Sequence, residues 1–327
     1  MRTVIIGAGL AGLACAEQLA QAGVEATLFD KGRAPGGRMS TRRVQAGGGS
    51  FAFDHGAQYF TARDPLFRAE VVQWHRRGLA APWPAAGDDA WVGTPGMSGP
   101  VAALAAARDV RFSHHVMGLV REGGGREGAL WVTLQGGERQ GPFDAVVIAL
   151  PAEQALAFLG AHDLAMASRA VSARSQPCWT AMAAFPARLP LPDVIRDAGT
   201  LAWAARDGAK PGRDGSETWV LQAGGMWSAR HLERTPGEVA QLLLAELTGL
   251  CAPASVPEPT YLAAHRWRYA MTSGAALGAL WNPSLQLGAC GDWLMGPRVE
   301  LAWLSGRHLA RAMLAGHAGL QAAASHG

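Results

Sequence analysis

The sequence predicts an α/β protein with a second, α+β region interleaved along the chain. Three observations predict it. The chain opens on a strand, a glycine-rich turn, a helix and a second strand that ends in a carboxylate. Asp144 to Leu150 is a near-continuous apolar run stopped by Pro151, the type of strand that sits in the buried middle of a parallel sheet. Between roughly 155 and 265 the texture changes to tryptophan-bearing, strand-like runs with one good helix, and the end of the chain returns to the first texture.

Val4-Ile5-Ile6 reads as the first strand and Gly7-Ala8-Gly9-Leu10-Ala11-Gly12 as the turn into a helix. Gly7 allows the tight turn, Gly9 lets backbone approach a pyrophosphate, and Gly12 lets helix and strand pack closely. The N–H groups at the helix start, Leu10 and Ala11 among them, face the phosphates with a partial positive charge. Val24 to Phe29 is the second strand, and Asp30 at its end is placed to accept hydrogen bonds from an adenosine ribose. Strand, turn, helix and acid in this order make the Rossmann-type dinucleotide fingerprint. A secretory signal in the same residues is disfavoured, because three glycines break the apolar run and Glu17 and Gln18 carry the helix past any cleavage site.

Lys31 to Met39 is a glycine-rich basic loop, and Ser50 to Asp54 a short strand. Residues 64 to 79 suit an amphipathic helix with Leu66, Phe67, Val71 and Trp74 along one face. Pro82 to Gly99 reads as loop and Val101 to Ala107 as a short helix. Val110 to Phe112 and Val116 to Val120 are strands, and Gly123-Gly124-Gly125 turns the chain into Trp131 to Leu134 as a hairpin. Trp179, Trp203, Trp219 and Trp227 lie on strand-like runs, and Glu238 to Leu250 is a helix. Leu285 to Ala289 is an apolar strand that runs into Cys290-Gly291-Asp292-Trp293, and Glu300 to Leu314 is the final helix.

Composition excludes several classes. At 327 residues the chain has room for two domains or one elaborate one. A hydrophobic fraction of 49% against 17% charged residues excludes disorder. A net charge of +3 is too small to argue for nucleic acid, though it suits a small anionic ligand. The longest uncharged run, Tyr269 to Gly291, carries Asn282, Pro283 and several glycines, so no membrane span is expected. The four cysteines are scattered, as buried thiols of a reducing, cytoplasmic compartment would be. No metal spacing appears, and His114-His115 as neighbours on a strand would face opposite ways. Twelve tryptophans suit core packing or a flat pocket for a planar ligand.

The second chemical feature is Gly291-Asp292 between an apolar strand and the last helix. A carboxylate there accepts from a polyol hydroxyl, and the helix start near Val299-Glu300 offers N–H dipoles to a developing negative charge, as on the N1–C2=O edge of a reduced flavin. The two ends of the chain are therefore suited to the two ends of one FAD. Read alone, Asp292 is better explained as an ordinary helix N-cap or loop turn; read with the N-terminal fingerprint, it belongs to FAD.

The chain resembles the FAD-dependent amine-oxidase-like superfamily and, within it, the bacterial renalases. The resembling segments are Ile5 to Gly12, Phe29-Asp30-Lys31 with Gly36-Gly37-Arg38-Met39, Asp54-His55-Gly56-Ala57-Gln58-Tyr59-Phe60-Thr61-Ala62-Arg63, Trp91-Val92-Gly93 with Pro95-Gly96-Met97, Ala264-His265-Arg266-Trp267, and Cys290 to Trp293 followed by Arg298-Val299-Glu300. They span the whole chain. The first two are common to many flavoproteins, and the Gln-Tyr-Phe-Thr-Ala-Arg, Gly-Met and Arg-Val-Glu pieces are narrower.

The resemblance implies noncovalent FAD and a p-hydroxybenzoate-hydroxylase-like architecture. The expected division is 1–62, 96–154 and 284–327 for the FAD-binding domain, and 63–95 and 155–283 for the substrate domain. It also implies oxidation of 2- and 6-dihydro isomers of NAD(P) by hydride transfer to flavin N5, with O2 giving H2O2. Expected cofactor contacts are Gly7, Gly9, Leu10, Ala11, Gly12, Asp30, Lys31, Arg38, His55, Gly56, Ala57, Val116, Asp292 and Val299. Expected substrate contacts are Gln58, Tyr59, Phe60, Thr61, Ala62, Gly96, Thr180 and Arg298. No catalytic acid or base is assigned, because no proton leaves the substrate carbon in such a transfer. Trp179-Thr180 reads equally as core. A cation before a helix start, as at Arg298, is disfavoured by the dipole unless it has a task. No nucleic-acid or membrane partner is expected, and the oligomeric state, monomer or dimer, stays open.

Two rivals stand beside this reading. A flavin monoamine oxidase often places a lysine near flavin N5, and beyond Lys31 this chain offers only Lys210, in a Pro-Gly-Arg loop. A non-catalytic binding protein of the Rab GDP-dissociation-inhibitor type need not keep FAD. The intact glycine fingerprint, Asp30 and Asp292 speak against it.

Overall fold

A computed structural model describes residues 1–123 and 128–324. The Gly124-Gly125 part of the expected hairpin turn lies outside them. The chain divides into two compact units.

The first unit comprises Met1–Gly37, Val101–Arg174 and Thr272–Gly327. Its centre is a six-stranded sheet in the spatial order 280–282, 287–289, 145–148, 3–6, 26–29, 109–111. All neighbours run parallel except the edge pair 280–282 with 287–289. Thr3–Ile6 and Ala145–Ile148 are buried at every position. Apolar β-branched runs form these strands because both faces are covered, and each buried Val or Ile contributes about 1.5–3 kcal/mol.

The helix Leu10–Gln21 buries Leu10, Leu13, Ala14 and Leu19. It ends at Ala22, before Gly23 at φ +74°. It packs on the final helix, Val299–Ala324, so closely that a Cβ on Gly306 would lie 2.0 Å from the Ala11 carbonyl oxygen. Strands Val116–Glu122, Ala129–Leu134 and Arg139–Phe143 form a small antiparallel sheet. His114 and His115 lie in the connection before it, not on a strand.

The second unit comprises Arg38–Pro100 and Ser175–Met271. Its five-stranded sheet has the order 194–198, 201–206, 218–223, 175–184, 261–272, and the pairs through the first four strands are antiparallel. The helix Pro236–Gly249 starts on a capping box, Thr235 with Glu238, and buries Val239, Ala240, Leu243 and Leu247 in a core with Trp179 and Trp219.

Four expectations need correction. Residues 38–62 belong to the second unit, because Phe53 packs with Met182, Ala184 and Val220. Residues 96–100 go with them. Helices Ala152–Leu159 and Leu164–Ser172 belong to the first unit, where Ala155, Leu159, Met166 and Ala170 pack with Val146 and Ile148, and so does the strand Leu280–Asn282. The stretch 82–99 is not all loop: Ala90–Gly93 pairs with both 60–61 and 80–82. On the helix Pro65–Arg76 the stripe is Phe67, Val71 and Trp74, while Leu66 is 46% exposed, one residue and so about 100° away. Finally, Trp227 sits on a short helix, Gly225–Arg230, not on a strand.

Candidate cofactor and substrate sites

In the first unit the strands 3–6, 26–29, 145–148 and 287–289 all end at one edge, since they are parallel. That edge carries Gly7–Gly12, Asp30 and Cys290–Asp292, which is where open α/β sheets bind their ligands. Gly7 has φ +105°, and a Cβ there would stand 2.5 Å from the Ala149 carbonyl oxygen. A Cβ on Gly12 would stand 2.2 Å from the Gly7 carbonyl oxygen. Gly9 is the opposite case. It is the N-cap of the helix, has no side-chain cap, and has no atom within 4 Å of the position of a Cβ. The helix start thus opens on free space with uncapped N–H groups and no acidic residue in its first turn, a cradle that fits a pyrophosphate.

Asp30 does more than the sequence indicated. One carboxylate oxygen accepts from the Ala8 N–H at 2.7 Å and the other from the Gly32 N–H at 2.6 Å. It therefore shapes the glycine turn, and each oxygen keeps a lone pair for a ligand hydroxyl. The backbone of residues 30–32 is also tied to that of 111–114, which brings the loop before Val116 to the same strand end. Val116 is buried at the start of its strand, and Lys31 is exposed.

Asp292 is 6% exposed, and its carbonyl accepts from Met295 N at 2.9 Å. Arg298 precedes the helix that begins at Val299. Its guanidinium lies 3.7 Å from the buried Glu300 carboxylate and remains 44% exposed. Glu300 in the first turn offsets the unfavourable dipole and leaves Arg298 accessible.

In the second unit the segment after Asp54 is pinned from several elements. The His55 carbonyl accepts from Trp267 Nε1 at 2.8 Å and the Gly56 carbonyl from Gln222 Nε2 at 2.7 Å. Ala57 N donates to the Arg38 carbonyl at 2.8 Å, and a Cβ on Gly56 would meet that same oxygen at 2.0 Å. Arg38 itself donates to the Ala270 carbonyl at 3.2 Å.

Of the expected substrate contacts, Tyr59, Thr61 and Ala62 keep partial exposure. Tyr59 faces Trp203 with ring centroids 5.3 Å apart, and Trp203 meets Trp83 edge-on at 6.2 Å. Four others are buried and make their contacts inside the protein. Phe60 is 3% exposed and packs edge-on against Phe67 and Trp74. Thr180 is fully buried in its strand, beside the Cys178 sulfur. Gly96 is buried where a Cβ would lie 2.5 Å from Thr41 Oγ1. The Gln58 carboxamide is used inside the protein: Nε2 donates to the carbonyls of Asp54 and Gly56, and Oε1 accepts from Lys210 Nζ at 3.2 Å.

The sequence missed a buried charge cluster. Lys210, 2% exposed, stands 2.6 Å from Asp207 and 3.5 Å from Asp54, and Arg213 pairs directly with Asp54. Burial pushes the Asp54 carboxyl up, but Lys210, Arg213, the Met97 N–H and the Thr41 hydroxyl together hold it below its usual value. Burial raises Asp207, and the Asp54 charge adds to that. The only signal was a dense run of charges, Arg206 to Arg213, in a charge-poor chain.

His55 was expected as a cofactor contact, but its ring environment was not foreseen. The ring lies 5.0 Å from His265 and 5.1 Å from Trp267, and its Nδ1 is buried with no hydrogen-bond partner. Burial, then the neighbouring His265 and Arg42, lower its pKa to about 4. The unfolded chain binds this proton near pH 6.5 and the folded one only near 4. Stability is therefore full above 6.5 and falls as pH drops toward 4, by up to about 3 kcal/mol. Urea midpoints at pH 7 and pH 4 should show this loss in the wild type and a smaller one in His55→Phe.

A dinucleotide cradle at a parallel-sheet edge, joined in one chain to an antiparallel-sheet unit, is the layout of a dinucleotide-binding protein with a second domain. Residues 85–314 match the model for flavin containing amine oxidoreductases, and residues 5–71 match an NAD(P)-binding Rossmann-like domain. The chain belongs to the flavin containing amine oxidoreductase family, and its cofactor is FAD.

Among solved structures it resembles cyclohexylamine oxidase from Brevibacterium oxydans, at 17% identity and TM-score 0.66 over 95% of this chain and 98% of that one. Putrescine oxidase bound to putrescine aligns at 13% identity and TM-score 0.69, over 96% of this chain and 99% of that one. At these identities the likeness is one of fold. The hydroxyneurosporene desaturase of Cereibacter sphaeroides is 52% identical over 46 residues, 14% of this chain and 9% of the desaturase. That of Rubrivivax gelatinosus is 44% identical over 71 residues, 21% of this chain and 13% of the enzyme. The matches thus span about a tenth of the desaturases' length. Among the described residues no helix is long and apolar enough to cross a membrane.

Proposed function

We propose that the protein is an FAD-dependent oxidase of 2- and 6-dihydro isomers of NAD(P), returning NAD(P)+. The observation that carries this reading is the state of the ionisable groups around segment 54–62. Lys210 is held by Asp207, Asp54 and Gln58. Asp54 is held by Arg213 and Thr41, and His55 is kept neutral by burial. Each of these groups is buried inside the protein rather than offered to a substrate. An amine substrate is an ammonium in water and must shed a proton before it can give up a hydride. A dihydropyridine has no such proton to lose.

FAD, when bound, supplies the two-electron acceptor: dihydro-NAD(P), O2 and one proton give NAD(P)+ and H2O2. The chain's part is to bind and orient the planar ring against Tyr59, Thr61 and Ala62, with His55, Gly56 and Ala57 as flavin contacts. Arg298, a fixed and accessible cation, binds an anionic or amide end of the substrate.

The test is anaerobic mixing with each isomer, with ordinary NADH and with small amines, followed by flavin absorbance near 450 nm. Fast bleaching by the isomers alone is expected, whereas bleaching by amines alone would replace this reading with amine oxidation. Arg298→Ala should keep its FAD and lose at least about tenfold in reduction rate or substrate affinity, roughly one charge-assisted contact. Unchanged kinetics would remove Arg298 from the site.

A further inference from the structure

Lys210 and Lys31 are the only lysines of the chain, and Lys210 is the one inside it. Its ammonium has three N–H donors and three oxygen partners: Asp207 at 2.6 Å, Gln58 Oε1 at 3.2 Å and Asp54 at 3.5 Å. The Trp83 ring, 5.2 Å from Nζ, covers it. The ammonium is buried and surrounded by these protein oxygens, so the group is not offered to a ligand.

Gln58 connects this cluster to the flavin segment. It is 5% exposed, so water does not readily replace a lost partner. Its Nε2 holds the carbonyls of Asp54 and Gly56 on either side of His55. Its Oε1 is oriented by Lys210. The Asp54 N–H in turn donates to Asp207 at 3.0 Å. The backbone of residues 54–56 is therefore gripped by one side chain whose own amide is set by the lysine.

We infer that Lys210 is a positioning residue that acts through Gln58: its ammonium fixes the carboxamide, which fixes the backbone of 54–56 against the flavin. The inference rests on the assignment of His55–Ala57 to the cofactor. It gives the buried lysine a mechanical role, distinct from proton transfer to or from a substrate.

The experiment compares Lys210→Met, Gln58→Leu and the double variant as holoenzymes. It reads the oxidised-flavin absorbance spectrum, the FAD dissociation constant and the thermal midpoint. Both single variants should shift the flavin band in the same direction and weaken FAD by about tenfold, and the double variant should add little to either. Because Lys210→Met leaves two carboxylates facing one arginine, Asp207→Asn/Lys210→Met is made as well. The asparagine oxygen still accepts from the Asp54 N–H, and the same flavin signature is expected. A fall in thermal midpoint with spectrum and FAD affinity unmoved, or shifts that add fully in the double variant, would overturn the inference. A silent Gln58→Leu would instead remove segment 55–57 from the flavin, and the inference would fall with that assignment.

Discussion

Gly9→Val should purify folded and without FAD. Gly9 lies at φ −74°, ψ 177°, an extended conformation that valine adopts without strain. A Cβ there meets nothing in the protein, since no atom lies within 4 Å of its position. The space it would fill is that of the pyrophosphate at the helix N-terminus. The expected loss is more than a hundredfold in FAD affinity, about 3 kcal/mol or more, at a thermal midpoint close to that of the flavin-free wild type. Gly12→Ala makes the contrast. Its Cβ would press on the Gly7 carbonyl at 2.2 Å, so it should lose stability along with the cofactor. A yellow Gly9→Val protein with full occupancy would place the phosphates elsewhere.

That contrast shows what a sequence reveals and what it hides. Gly7, Gly9 and Gly12 form one local motif, and each role follows from a spacing within six residues. The parallel strands were legible for a similar reason, since burial on both faces leaves continuous apolar runs such as Ala145–Ile148. The charge cluster was not legible. Asp54 and Lys210 are far apart in the chain, and a lysine in a Pro-Gly-Arg stretch reads as a solvated loop. Only the fold reveals that the second unit closes over it. The exchange of residues 38–62 between units has the same origin. Phe53 and Gly56 are placed by partners, Val220 and Gln222, that no local pattern announces. Gln58, Phe60, Gly96 and Thr180 were expected as substrate contacts, and the structure buries all four. Gln58 holds the backbone of its own segment, and a motif does not distinguish a residue that touches a ligand from one that supports its neighbour.

Arg213→Met should destabilise the protein by about 3–5 kcal/mol, because it strands a buried carboxylate. Asp54 is wholly buried, and its partners besides Arg213 are Thr41 Oγ1 at 2.7 Å, Met97 N at 2.9 Å and Lys210 at 3.5 Å. Lys210 is closer to Asp207, so it does not neutralise both acids. Arg213 also donates to the carbonyls of Gly93 at 2.9 Å and Pro211 at 2.8 Å, and methionine leaves these unpaired. Adding Asp54→Asn should recover more than half of the loss, since the double variant no longer buries an uncompensated charge.

The pH dependence separates charge from packing. In the wild type Asp54 is held below its usual pKa, so the stability it contributes is present above the unfolded value and is lost as pH falls. Without Arg213 its pKa rises, and acid then relieves the strain by protonating it. The deficit of Arg213→Met measured by urea unfolding should therefore shrink from pH 7 to pH 4. Burial also raises Asp207, so acid relieves that carboxylate as well. A deficit constant with pH would mean that the methionine cost packing alone, and that the Asp54 charge is neutralised by Lys210 without the arginine.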